Sequence, residues 1–141
     1  MLGTRTRWVI ATGALLSATG VLEVGAHDIA SKLPPEAAKR ANPLARSEAV
    51  IAAGRGVYEK ACASCHGPSG SGDTPAASAF SHRPSDFTKG FKRQTDGELF
   101  WKITTGGGPM PGYERTLTEE QRWQVIHYLR ALEKPTRGPQ P

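Results

Sequence analysis

Cysteine is scarce in this chain: two in 141 residues, both within one four-residue stretch at Cys62 and Cys65. That excludes the multiple disulfides on which many small exported domains depend. Long apolar runs are scarce too. The single run, residues 8–22, is short for a membrane span and is closed by Glu23. There is no dense Lys/Arg tract with interleaved aromatics, which argues against a nucleic-acid partner. No convincing strand pattern, internal repeat or second domain is visible. Methionine occurs only twice, as Met1 and Met110.

What is abundant is glycine and proline, 16 and 11 residues respectively. This composition describes a loop-rich fold with few long elements. So little regular structure at this length calls for something else in the core, and a cofactor would supply it.

Arg5 and Arg7 precede the apolar run, and Val24-Gly25-Ala26 follows it with small residues. This is the layout of a secretory signal over residues 1–26, with an uncleaved N-terminal anchor as the other reading. Arg5-Thr6-Arg7 is not a twin-arginine pair, so the general export route and, in a bacterium, the periplasm are expected. Without residues 1–26 the chain loses two Arg and one Glu, leaving a net charge of about +4. A charged docking face for a partner protein is a natural use of such a surface.

Pro34-Pro35 and Asn42-Pro43 interrupt residues 27–46, which are expected to form a flexible lead-in. A domain over 47–134 and a disordered tail over 135–141 complete the expected organisation. Within the domain three helices are expected. The first runs from an N-cap at Ser47 to about Cys62, with Val50, Ile51, Val57 and Tyr58 at helical spacing around Gly54. The second spans about 96–105, opened by the capping box Thr95 to Glu98 and closed by Gly106. The third follows the capping box Thr118 to Gln121 and runs to about Glu133, with Trp123, Ile126, Leu129 and Leu132 along one side. Residues 67–94 lack periodicity and read as a long loop wrapped around a cofactor.

Cys62-Ala63-Ser64-Cys65-His66 is the C-x-x-C-H pattern of c-type haem attachment. One helical turn lets two thiols reach the two vinyl groups on one porphyrin edge, while the next residue brings an imidazole to the iron. A zinc site would need a second Cys or His pair, and none is present. A thioredoxin-type pair would need a βαβ setting, which the sequence does not offer. A single covalently attached haem c is therefore expected on Cys62 and Cys65, with His66 as one axial ligand. Once Met1 leaves with a cleaved signal, Met110 is the one remaining thioether for the other axial position. It lies 44 residues after His66, among glycines and prolines that let backbone pass close to a flat ligand and stiffen the loop. His82 and His127 are the rival ligands.

The stretch from Gly54 to Gly67, the loop Met110-Pro111-Gly112-Tyr113 and the amphipathic terminal helix together resemble class I cytochrome c. The resemblance spans residues 47–134, and Glu98-Leu99-Phe100-Trp101-Lys102-Ile103 is similar to small bacterial members. It implies an all-α fold in which the N- and C-terminal helices cross and hold the haem in a crevice. It further implies that Gly54 and Tyr58 meet Tyr128, and that Pro68 supports His66 through a backbone carbonyl. Trp101 or Arg83 is a candidate for bonding a haem propionate. The expected function is single-electron transfer between periplasmic redox proteins, by a carrier rather than an enzyme. Two alternatives stay open: a haem enzyme or gas sensor with an open sixth position, and an electron-transfer subunit of a larger oxidoreductase.

Overall fold

The computed structural model describes residues 33–91 and 94–133. The expected signal peptide, residues 27–32 of the expected lead-in and the whole of the expected tail lie outside these residues. Among the described residues five α-helices are formed: α1 (Pro35–Lys39), α2 (Glu48–Ala61), α3 (Ala63–His66), α4 (Asp96–Thr105) and α5 (Glu119–Leu132). Among the described residues there is no strand, and no helix is long and apolar enough to cross a membrane. The fold is all-α, as the sequence implied.

The caps act where their side chains were expected to act. Ser47 accepts from the Val50 N–H at the start of α2. Full capping boxes open α4 (Thr95 with Glu98) and α5 (Thr118 with Gln121), satisfying N–H groups that have no partner inside the helix.

The packing of α2 on α5 organises the molecule. A Cβ at Gly54 would run into the Gln124 carbonyl of α5, so only glycine permits this approach. One turn further along α2, Tyr58 is wholly buried and its ring meets Tyr128, with centroids 5.2 Å apart. The expected Tyr58–Tyr128 meeting is thus present, and the atoms nearest Gly54 are backbone atoms of Gln124 and Val125. Trp123, Val125, Ile126 and Leu129 of α5 fill the core with Leu99, Phe100 and Ile103 of α4. Phe100 and Trp123 stack at 4.0 Å.

Residues 33–46 depart from expectation. They take a defined path across α4 and α5 instead of forming a flexible lead-in. Helix α1 lies against Gly97, and Thr95 Oγ1 donates to the Ala38 carbonyl at 2.8 Å. Arg40 sits over the Phe100 ring at 4.6 Å and pairs with Glu119 at 2.8 Å. Asn42 donates to the Trp123 carbonyl, and His127 Nε2 lies 2.9 Å from the Leu44 carbonyl. The prolines that break helical periodicity here do not prevent order, because these contacts are tertiary and leave no local pattern.

The loop over 67–94 contains two short 3₁₀ turns, Pro75–Ala79 and Phe87–Lys89. It wraps the C-x-x-C-H turn: Gly72 N–H donates to the His66 carbonyl at 2.8 Å, and Thr74 Oγ1 to the Cys65 carbonyl at 3.1 Å.

Candidate functional site

Helix α2 delivers the two cysteines. It ends at Ala61, and Cys62 is both its C-cap and the N-cap of α3. The Cys62 carbonyl accepts from the Cys65 and His66 N–H groups at 3.2 and 2.9 Å, winding the motif into one turn. Both thiols are free and partly buried. Burial, and then the neighbouring Cys65, push the Cys62 thiol up to about 11, so it is a protonated thiol at neutral pH.

The imidazole of His66 is held on two sides. Its Nδ1 lies 3.4 Å from the Ser85 carbonyl oxygen. Donation of the Nδ1 proton to that oxygen leaves the lone pair on Nε2, the tautomer a metal ligand needs. The ring also stacks on Phe87, with centroids 4.4 Å apart. Burial holds the imidazole below its ordinary pKa, against a smaller opposing pull from the Ser85 carbonyl, which favours the neutral ligating form. The supporting carbonyl is therefore that of Ser85 and not that of Pro68. Pro68 follows the motif directly, whereas the loop must travel round to bring a carbonyl up to Nδ1.

The Met110 loop is tightly built. Gly106 ends α4 with φ +68, a conformation open to glycine at no steric cost, and its N–H donates to the Lys102 carbonyl at 2.8 Å. Gly107 and Met110 exchange two backbone hydrogen bonds, of 2.8 and 3.1 Å, across the turn that presents the thioether. Met110 packs against the same core cluster as Cys62. Tyr113 stitches the loop in place: its N–H donates to the Ile103 carbonyl at 2.9 Å, and its hydroxyl to the Ala61 carbonyl at 2.7 Å. Ala61 immediately precedes Cys62, so one tyrosine links the methionine loop to the cysteine turn. Burial raises the Tyr113 phenol above its ordinary pKa, and the nearby Cys62 and Cys65 thiols add to the shift.

Cys62, Cys65 and His66 thus share one turn, with the Met110 loop tied to its start. The rival histidines have other partners. His127 is 8% exposed and engaged with Leu44, and His82 is exposed beside Ser81. Arg83 pairs with Asp73 at the surface, and Trp101 is half-buried on α4. Among the described residues, no group of three or more His, Cys, Asp or Glu side chains could hold a bare metal ion. The donor set present fits a c-type haem instead: two unpaired thiols at one turn's separation, an imidazole with its Nε2 uncommitted, and a braced thioether. Sequence reasoning missed Ser85, Phe87 and Tyr113. For Tyr113 a signal existed, an aromatic three residues after the candidate thioether.

A family model described as cytochrome c oxidase, cbb3-type, subunit III, matches residues 49–129. That range covers α2, the cysteine turn, the Met110 loop and most of α5. Among solved structures, a chain of the reducing HAO-like protein complex of Kuenenia stuttgartiensis is similar at 35% identity, with a TM-score of 0.59. The match covers 65% of this chain and 47% of that one, so the present chain spans about half the length of that relative. A search of the curated proteins returns no match.

Proposed function

This chain belongs to the c-type cytochrome family whose model describes subunit III of cbb3-type cytochrome c oxidase, and from that premise we propose that it is an exported, single-haem electron carrier. The observation that carries the reading is the paired arrangement at the site. His66 has Nδ1 facing a backbone carbonyl and Nε2 uncommitted, while Tyr113 ties the Met110 loop to the start of the same turn. Cys62 and Cys65 hold the haem through thioether links, and there is one such motif in the chain. Bound haem iron supplies a one-electron couple between its ferrous and ferric states.

The residues of the chain do the rest. His66 and Met110 would hold the haem iron, and the backbone braces on each would keep their side chains in place. The soft Met110 thioether favours ferrous iron, and the apolar core cluster behind it disfavours the extra charge of ferric iron; both raise the potential. This reading makes the chain an electron carrier, with no catalytic residue of its own assigned.

The arginines and apolar run of residues 1–26 support export to the periplasm. The partners are periplasmic redox proteins acting as donor and acceptor. A second reading, as an electron-transfer subunit of a larger oxidoreductase, is favoured by one finding: the match covers only 47% of the similar solved chain, which is part of a protein complex.

The test is a redox titration of the purified protein, together with denaturation. The carrier reading expects one haem per chain, a reversible one-electron transition, and haem that stays with the unfolded polypeptide. Haem that separates from the denatured chain, or a transition that is not one-electron, would contradict it.

A further inference from the structure

The wrapping loop grips His66 by its face as well as by its nitrogen. Two residues after the Ser85 carbonyl, the Phe87 ring lies against the imidazole, with centroids 4.4 Å apart and planes 21° from parallel. Phe87 is itself fixed. It is 7% exposed, its N–H donates to the Gly70 carbonyl at 2.7 Å, and its ring meets Tyr58 edge-on at 6.3 Å and Phe91 at 5.0 Å. Asp86 caps the short turn that carries it, accepting from the Thr88 N–H at 3.0 Å and the Thr88 hydroxyl at 2.7 Å.

These contacts divide the work of orienting a ligand. The torsion that turns an imidazole about its Cβ–Cγ bond has broad wells, and one 3.4 Å hydrogen bond in the ring plane leaves some of that freedom. An immobile aromatic ring stacked on the face removes it. We propose that Phe87 is a positioning residue for His66: its stacked ring sets the plane in which the imidazole meets the haem iron, while Ser85 sets the tautomer. The inference rests on the reading of His66 as the nitrogen ligand. Ligand orientation is a property that groups outside the coordination shell control. The plane of an axial imidazole governs its π overlap with the iron d orbitals, so it is read in the g-anisotropy of the ferric protein.

The experiment compares holoproteins: the parent, Phe87→Leu and Phe87→Met, which keep apolar bulk without a flat face, Phe87→Tyr, which keeps the ring, and His66→Ala. For each, the low-temperature ferric electron paramagnetic resonance spectrum, the redox potential and the thermal midpoint are recorded. Two variants lack the ring, so the comparison survives if one of them fails to accumulate. The expected result is shifted and broadened g values and a shifted potential in Phe87→Leu or Phe87→Met. Phe87→Tyr should restore the parent g values even if its thermal midpoint is lower. Parent g values and potential in the ring-less variants, whatever their stability, would overturn the role of Phe87 while leaving His66 ligation intact. A parent-like low-spin spectrum in His66→Ala would instead remove the ligand reading itself, and the inference with it.

Discussion

Individual residues decide how closely the elements of this molecule approach each other. At Gly54 the missing side chain is what allows α2 to lie against the Gln124 carbonyl, and the backbone there cannot yield as a flexible side chain would. Gly54→Ala should therefore destabilise the protein by about 1–3 kcal/mol, read in chemical denaturation, with the haem still attached. Tyr113 supports a second prediction. Tyr113→Phe removes the hydroxyl that donates to the Ala61 carbonyl and should cost about 1 kcal/mol. Losing that tie should also free the Met110 loop, so the methionine-to-iron absorption band should fade at a lower temperature than the helical signal. Simultaneous loss of the two signals would mean that the tie does not brace the loop. Gly54 was legible in the sequence, because a glycine amid a helical apolar stripe is itself a packing signal. Its partner was not: a glycine in a sequence says that something comes close, not which atom does. Ser85 acts through its backbone carbonyl, which any residue supplies, and so carries no sequence signal at all.

At the scale of elements, α2, α4 and α5 were legible in nearly their full extents, because caps at Ser47, Thr95 and Thr118 coincide with the onset of helical periodicity. The segment over 33–46 was not. It is held by Arg40, Asn42 and Leu44 reaching residues about 80 positions away, and such contacts leave no periodic trace. Its docking should weaken in acid. The Arg40 guanidinium, and after it the Trp123 indole, hold the Glu119 carboxyl below the usual carboxylate range. A depressed carboxyl contributes stability that is present above its unfolded pKa, near 4.5, and is lost as pH falls through its lower folded value. Amide protection over 33–46, taken relative to the intrinsic exchange rate at each pH, should therefore fall between about pH 5 and pH 3 ahead of protection in α5, and Glu119→Gln should remove that pH dependence. The pair is largely exposed, so the effect should be modest and should shrink in high salt. Equal protection at both pH values would mean that apolar contact alone holds the segment.

For the molecule as a whole, the order of motifs along the chain carried the fold: a cysteine turn after a first helix, a methionine loop after a second, an amphipathic helix at the end. The family match over residues 49–129 spans that order. What the order could not convey is how the long loop returns to the site, since residues 67–94 have no periodicity and the path over 67–91 is set by hydrogen bonds to the carbonyls of Cys65, His66 and Gly70. The central claim, an iron closed on one side by His66 and on the other by Met110, is tested most directly by the visible spectrum of the purified protein, oxidised and reduced, with carbon monoxide added to the reduced form. A low-spin spectrum with the weak far-red methionine band, unchanged by carbon monoxide, is the predicted result. A high-spin spectrum that shifts on adding carbon monoxide would contradict the closed site and turn the account toward a gas-binding sensor or haem enzyme.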